Sequence, residues 1–321
     1  MHSCSFLRRA SLCLLLVAAG AGCAGGPAPP SAPPVGGSIT LPDEVRVSVT
    51  GQVSSIPIEE YVLGTALSEV SPVGDAPETV TGVYRVQAII ARTYAAFHTR
   101  RHAKDGYDLC DTTHCQVYQP GRVKTSRFSA AAREAVNDTR GQVLAYGARP
   151  AEALFHADCG GHTVSAEVIW GGRVPYLVGT VDAVPAETHR PWQFRITREQ
   201  LRAALNANSL TGVGSTLTSM RIVSRDPSGR AATIEVVGDS ARVLRGEQLR
   251  AVVNQQQGPL AVRSTKFALT LEADGYRFDG TGWGHGVGLC QVGAMARIRR
   301  GDSVASVLAT YYPGARLLRA R

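Results

Sequence analysis

Beyond its N-terminal segment, the 321-residue sequence has no hydrophobic run that could span a bilayer, because a transmembrane helix needs about 20 apolar residues in succession. It has no internal repeat, which excludes a solenoid or a repeat array. It also has no nucleic-acid-binding motif, and its glycine-rich segment lacks the Lys-Ser/Thr that completes a phosphate-binding loop. With 44% hydrophobic residues, the chain is predicted to fold as a soluble globular body with a substantial core.

Residues 1–22 have the pattern of a signal peptide, with two arginines followed by a short apolar run and small residues. The Gly-Ala-Gly before Cys23 resembles a lipoprotein signal box, in which Cys23 is lipidated and becomes the mature N-terminus. Ordinary cleavage after a small residue is the alternative. Residues 23–39 are mostly Gly, Pro, Ala and Ser, which predicts a flexible tether. We therefore expect an exported lipoprotein of the cell envelope, held on a membrane in the periplasm or on the outer surface.

The balance of charges is basic. The formal net charge is +8, and it falls to +6 once the two signal-peptide arginines are removed. This charge favours an anionic environment such as a cell-wall polymer or a lipid surface, although exported proteins without a specific anionic partner are also often basic.

Helical and strand patterns cluster along the chain and do not alternate strictly, which predicts an α+β fold with mixed helices and antiparallel strands. The predicted domain covers residues 40–318, with a less distinctive segment at about 190–260 that holds one helix. The predicted helices are 57–70, 78–102, 126–136 and 199–206, and the predicted strands are 39–53, 142–146, 153–156, 220–224 and 233–237, with a further alternating stretch at 267–278.

Four separated segments resemble the SpoIID/LytB family. They are residues 58–64 (IEEYVLG) with 68–70 (SEV), 85–94 (RVQAIIARTY), 159–163 (CGGHT) with 175–177 (PYL), and 282–288 (GWGHGVG) continuing to Gln291. The resemblance implies an enzyme that cleaves peptidoglycan glycan strands as a lytic transglycosylase. The alternative is a non-catalytic wall-binding module that stimulates an N-acetylmuramoyl-L-alanine amidase.

The resemblance makes Glu69 the expected catalytic acid. A leaving glycosidic oxygen needs a proton, and burial beside apolar neighbours such as Leu67 and Val70 raises the pKa of a carboxyl group enough to hold one near neutral pH. Glu59 and Glu60 compete for this role, but acids in a first helical turn are favoured by the helix dipole alone. No partner carboxylate for Glu69 is evident. A lytic transglycosylase can use a single glutamate, because a hydroxyl of the sugar replaces water.

Four further residues are candidates for substrate binding. His285 lies among glycines, which let a backbone approach a ligand, although a structural turn would have the same composition. Arg92 would face the substrate or pair with Glu69, unless it is simply an exposed helical arginine. Tyr176 could stack on a sugar ring or belong to the core. Gln291 follows the glycine-rich segment, and the resemblance includes it.

A cluster of cysteine and histidine predicts a metal site. Cys110, His114, Cys115 and the upstream His102 supply the ligand types that zinc takes in tetrahedral sites. A Cys110–Cys115 disulfide is the main alternative in an oxidising compartment, and Cys-His nucleophilic catalysis is a more distant one. Many members of the family have Ser where Cys290 lies and Ser or Thr near Cys159, and this paired replacement implies that the two cysteines lie close together, in position for a disulfide.

Overall fold

The computed structural model describes residues 38–321. The predicted signal peptide, Cys23 and residues 23–37 of the predicted tether lie outside the described residues. Within the described part, no helix is both long enough and apolar enough to cross a membrane.

The described residues form helices and mostly antiparallel sheets, so the predicted α+β fold is confirmed. The α-helices are α1 (Ile58–Glu69), α2 (Pro77–His98), α3 (Arg122–Thr125), α4 (Ser129–Asp138), α5 (Ala166–Trp170), α6 (Arg198–Asn206), α7 (Gly246–Gln257), α8 (Gln291–Arg299) and α9 (Val304–Tyr311). Short 3-10 turns occur at Ala103–Asp105 and Ala186–Thr188.

The strands build five small sheets in the described residues. The strands are β1 (Glu44–Val49), β2 (Gln52–Pro57), β3 (Leu109–Cys110), β4 (Gln142–Tyr146), β5 (Arg149–Pro150), β6 (Phe155–His156), β7 (Pro191–Thr197), β8 (Leu217–Arg225), β9 (Ala231–Gly238), β10 (Ala241–Arg245), β11 (Phe267–Leu271), β12 (Gly275–Thr281), β13 (Leu289–Cys290) and β14 (Arg316–Arg319). The sheet orders are β2-β1-β3, β14-β4-β5, β13-β6, β10-β9-β8 and β11-β12-β7. Only β1-β3 and β13-β6 are parallel among these pairs.

The long helix α2 organises the main body. Val83, Tyr84 and Ala88 face one apolar core, which α2 shares with α1, α4 and the β1-β2 hairpin. Ile89 and Ile90 face a second core, built with α8, α9 and the glycine-rich segment. A helix that is apolar on nearly all sides is stable only when it is buried, and α2 lies between these two cores.

Residues 191–281 form a unit with its own apolar core, inserted between two segments of the main body. The unit begins with β7 and ends with β12, and these two strands pair antiparallel, with Pro191 opposite Thr281. Its two ends therefore lie side by side. The single helix predicted for this segment was an underestimate, because α7 packs there as a second helix beside α6.

Candidate active site

Glu69 is the last residue of α1, at the point where the helix changes to extended chain. The helix starts after Pro57, with Glu59 and Glu60 in its first turn, where acids offset the positive end of the helix dipole. It ends because Val70 is extended. Glu69 is half-buried at this position, between the apolar core and the surface.

The loop that follows the Cys/His cluster covers the end of α1. The backbone N–H of Val117 donates to Glu69 Oε1 at 2.6 Å. The N–H of Gln119 donates to the Ser68 hydroxyl at 3.0 Å, and Arg122 Nε donates to the Leu67 carbonyl at 3.2 Å. These contacts use carbonyl and side-chain acceptors that the end of a helix leaves open, and they fix the orientation of the Glu69 carboxyl group.

Burial raises the pKa of Glu69 to about 7, and the hydrogen bond from Val117 opposes that rise only in part. Low polarity disfavours the charged carboxylate, so the neutral acid persists near neutral pH. A carboxyl group in this state can donate a proton and then take one back.

His102, Cys110, His114 and Cys115 converge, and their ligand atoms all lie within 4.8 Å of one another. His102 Nε2 is 3.4 Å from Cys115 Sγ. His114 Nδ1 is 3.8 Å from Cys110 Sγ and 3.9 Å from Cys115 Sγ. Tetrahedral zinc with sulfur at about 2.3 Å and nitrogen at about 2.0 Å separates its ligands by roughly 3.3–3.8 Å. The donor types and their spacing therefore fit zinc.

A carboxylate lies close to this cluster. His102 Nδ1 is 3.6 Å from the Asp105 carboxylate, a separation longer than a hydrogen bond. Both cysteines are free thiols in the structure, without the alternative Cys110–Cys115 disulfide. His114 is the ligand least favoured by sequence, being adjacent to Cys115, yet its ring reaches both sulfurs.

A short path connects the cluster to Glu69. Gln116, next to Cys115, is 1% exposed and donates to the Tyr61 hydroxyl at 3.1 Å and to the Ala91 carbonyl at 3.3 Å. The Tyr118 ring stacks on Tyr61 with centroids 5.2 Å apart. Tyr118 also covers Gly64, where any Cβ would overlap its ring. The loop between the cluster and Glu69 is thus anchored to α1 and α2 on both sides of Val117.

Arg92, a candidate for substrate binding, lies in the interior. It is 0% exposed and forms two hydrogen bonds to Glu59, at 2.6 and 3.0 Å. It also donates to the Gln142 carbonyl at 3.1 Å. Its guanidinium group is used by contacts within the chain, so Arg92 supports the fold by joining α1 to α2 and to the start of β4.

Replacing Glu59 with Gln is expected to lower the free energy of unfolding by about 3 kcal/mol, because Arg92 would keep its charge without a partner. Denaturant unfolding measures this change. Glu60→Gln is the matched control, since Glu60 is exposed in the same helical turn, and we expect a change within about 0.5 kcal/mol. Equal losses in the two variants would contradict a structural Glu59–Arg92 pair.

Both ring nitrogens of His285 have partners inside the chain. Nδ1 accepts from the Val287 N–H at 3.0 Å, so Nε2 carries the hydrogen and donates to the Phe155 carbonyl at 3.1 Å. Burial, together with Arg250 and Arg230, lowers its pKa to about 4. His285 is therefore a neutral group that holds the glycine-rich loop on β6, and its ring lies against the rings of His156 and Trp170.

Tyr176 and Gln291 are also largely buried. The Tyr176 hydroxyl accepts from the Glu152 N–H at 2.7 Å, and its ring packs on Tyr146. Gln291 donates to Gln87 Oε1 at 3.3 Å, and both glutamines line a narrow cavity with Val70. Gln291 thus lies near the end of α1, whereas Tyr176 has a place in the core of the main body.

Cys159 and Cys290 are close together, as the paired replacement implied. The Cys159 N–H donates to Cys290 Sγ at 3.2 Å, and the two thiols are free in the structure. The contact brings together two segments that are 131 residues apart in the chain.

The sequence patterns did not identify the backbone N–H of Val117 or the pairing of Glu59 with Arg92. A backbone donor carries no side-chain signature, so residue types alone could not reveal the first. The second had one signal, an arginine that follows the apolar residues Ile89, Ile90 and Ala91 in α2, because an arginine in an apolar stretch needs a buried acid.

Comparisons with known proteins agree with this architecture. A family described as stage II sporulation protein matches residues 47–146, which contain α1, α2 and the Cys/His cluster. A domain of unknown function (DUF8618) matches residues 170–288, which include the inserted unit.

The relatives extend the match over most of the chain. An uncharacterized protein of Brachyspira hyodysenteriae is 33% identical over 264 residues, spanning 82% of this chain and 67% of that protein. Stage II sporulation protein D of Bacillus subtilis is 27% identical over 284 residues, spanning 83% and 75% respectively. A protein of the same organism named amidase enhancer is 25% identical over 289 residues, spanning 76% of this chain and 40% of that protein.

The fold and the site thus describe an α+β protein in which a glutamate with a raised pKa, Glu69, lies beside a Cys/His cluster. The chain belongs to the SpoIID/LytB family. This membership indicates a function related to the bacterial cell wall.

Proposed function

We propose that the chain is an exported enzyme that cleaves peptidoglycan glycan strands between N-acetylmuramic acid and N-acetylglucosamine, in the manner of a lytic transglycosylase. The observation that carries this proposal is Glu69, a half-buried carboxyl group with its pKa raised to about 7 and its Oε1 held by the Val117 N–H. A wall-binding module has no need of an acid in this state.

The chemistry needs only this one carboxyl group. As the glycosidic C–O bond breaks, Glu69 gives its proton to the leaving oxygen. The Glu69 carboxylate then takes the proton of a hydroxyl on the same sugar, as that hydroxyl oxygen bonds to the anomeric carbon. Because Val117 holds Oε1, Oε2 is the oxygen that transfers the proton. No water is consumed, and no second carboxylate is required, unlike in an ordinary glycosidase.

Purified protein incubated with peptide-free glycan strands tests the proposal. Mass spectrometry should show fragments whose cleaved ends are lighter, by one water, than hydrolysis products. Cleaved ends with the mass of hydrolysis products would show that the enzyme is a hydrolase and not a transglycosylase. Strands that remain uncut would contradict cleavage of peptide-free glycan.

The name of one relative, amidase enhancer, favours a second candidate function, in which the chain stimulates a cell-wall amidase without cutting glycan. Addition of the protein to an N-acetylmuramoyl-L-alanine amidase, with release of stem peptide as the readout, separates the two functions. Stimulation that persists in a Glu69→Gln variant would support this second function.

The same proposal includes zinc at His102, Cys110, His114 and Cys115, and a lipid on Cys23 that holds the protein in the cell envelope. When bound, zinc would cross-link the loop from His102 to Cys115 and so support the Val117 contact with Glu69. Membrane fractionation of a Cys23→Ser variant tests the anchor, because release into the soluble fraction is expected.

Cleavage should depend on pH through Glu69. The first step needs the protonated acid, so kcat/KM should be nearly constant below pH 6 and fall about tenfold per pH unit well above a midpoint near 7. A rate profile with glycan strands between about pH 3.5 and 9 measures this dependence. A falling limb centred near pH 4.5, the usual value for a glutamate, would show that burial does not set the acidity of the catalytic group.

A further inference from the structure

The inserted unit joins the main body beside residues 155–159 and 281–290, which we call the neck; Arg245 and Lys266 of the unit make further contacts, to the carbonyls of Ile169 and Gly160. At the neck, β6 pairs parallel with β13, and Asp158 forms an isolated bridge with Trp283. Since Pro191 lies opposite Thr281, both ends of the unit of residues 191–281 lie beside the neck.

Cys159 and Cys290 lie on opposite sides of this neck. Their sulfur atoms are within 4.8 Å of each other, and the Cys159 N–H already contacts Cys290 Sγ at 3.2 Å. Both side chains are 0% exposed. A disulfide bond requires sulfurs about 2.05 Å apart, so the sulfurs have to approach by less than about 3 Å, which rotation of the side chains can supply.

The surroundings tolerate loss of the thiol hydrogens. The Cys159 thiol donates to Asp182 at 3.4 Å, but Asp182 also accepts from the Tyr311 hydroxyl at 2.8 Å and from Arg297 at 3.1 Å. The carboxylate therefore keeps two strong partners after Cys159 loses its hydrogen. Apolar side chains such as Val287 and Leu289 belong to the same core as the two sulfurs, and a disulfide is less polar than two thiols.

We propose that Cys159 and Cys290 are a modification site, where a disulfide bond locks the neck between the inserted unit and the main body. The oxidant is a disulfide compound, either a small disulfide or a thiol–disulfide oxidoreductase in its oxidised form. The thiolate of Cys159 attacks a sulfur of that disulfide and releases one thiol; Cys290 then loses its proton and attacks Cys159 Sγ, releasing the second thiol. Two cysteine thiols are oxidised, and one disulfide is reduced to two thiols.

The bond forms during folding, before the neck closes, because both sulfurs are inaccessible afterwards. It joins segments 131 residues apart, and a cross-link that closes a long loop removes much of the entropy of the unfolded chain. The oxidised protein should therefore melt roughly 5–15 °C above the reduced protein. The proposal is independent of glycan cleavage, and its readouts are covalent structure and melting temperature.

The experiment refolds the purified, reduced protein with zinc present, either in a mixture of reduced and oxidised glutathione or in reduced glutathione alone. Each product is denatured in guanidinium with EDTA, alkylated without a reductant and digested for mass spectrometry. EDTA frees thiols that a metal holds, whereas a disulfide survives. We expect a cross-linked peptide pair containing Cys159 and Cys290 only after refolding with oxidised glutathione.

The Cys159→Ser/Cys290→Ser variant is the matched control, because serine at position 159 can still donate to Asp182. Its melting temperature should be the same under both refolding conditions. Alkylation of both cysteines after oxidative refolding would overturn the proposal. Protection seen only in a parallel sample without EDTA would also overturn it, since that result would indicate a metal ion held with His156. A cross-link that leaves the melting temperature unchanged would overturn the locking role.

Discussion

Replacing Glu69 with Gln is expected to abolish cleavage of glycan strands, with a loss of at least about a hundredfold in rate. An amide has nearly the shape of a carboxyl group, and its oxygen can still accept from the Val117 N–H. It cannot act as an acid, so the leaving glycosidic oxygen would receive no proton. The loss is measured by using mass spectrometry to follow the rate at which new reducing or anhydro ends form on peptide-free strands.

The Glu69→Gln variant is expected to lose activity but to gain stability at alkaline pH. The folded-state pKa of Glu69 is about 7, above the usual 4.5, so the folded protein binds this proton more tightly than the unfolded chain. The contribution of the Glu69 proton to wild-type stability is complete below pH 4.5, declines as the pH rises towards 7, and is absent above that pH. Glutamine does not titrate, so the Glu69→Gln variant should lack this decline and be more stable than wild type at pH 8.

Glu60→Gln is the control for both measurements, because it removes an exposed acid from the same helix. Wild-type cleavage by a folded Glu69→Gln variant would end the catalytic assignment. If neither wild type nor Glu69→Gln cleaves glycan but both stimulate the amidase, the function as an amidase stimulator would be favoured.

The main helices of the fold could be predicted because periodicity and breakers agree there. Pro57 and the acids after it mark the start of α1, and Pro77 marks the start of α2. The predicted strand over residues 39–53 was too simple, since the chain turns at Thr50-Gly51 to form the β1-β2 hairpin. Both turn residues have positive φ, which suits a tight hairpin turn, but Thr at the first position is an unusual signal.

The candidate site was predictable only in part. Glu69 was proposed because of the resemblance to the SpoIID/LytB family, and the four Cys/His residues were proposed because zinc prefers those ligand types. Arg92 was predicted to face the substrate or to pair with Glu69, but in the structure it pairs with Glu59 of the preceding helix. Helical periodicity within α2 could not show this contact between two helices. The partners of His285 are a backbone N–H and a backbone carbonyl, and no pattern of residue types distinguishes such a histidine from one that contacts a ligand.

The second large effect is expected from the Cys/His cluster. Wild type purified without chelator should contain about one zinc per chain, and Cys115→Ser should lose most of it, because Cys115 Sγ lies 3.4 Å from His102 Nε2 and 3.9 Å from His114 Nδ1. Metal analysis by mass spectrometry measures the content. Thr113→Ala is the matched control, an exposed residue of the same loop, and it should retain zinc.

Loss of the metal should extend to Glu69 through the loop. Val117 is two residues from Cys115 and donates to Glu69, so the variant should show faster hydrogen exchange at the Val117 amide and a lower melting temperature. Glycan cleavage should fall with them, because the carboxyl group loses its fixed orientation. Gln116 and Tyr118 hold the loop independently, so we expect partial loss of activity, smaller than for Glu69→Gln.

Absence of zinc from wild type together with a Cys110–Cys115 disulfide would overturn the metal site. Zinc loss with unchanged exchange at Val117 would instead separate the cluster from the glutamate, and Gln116 and Tyr118 alone would then be what holds Val117 against α1.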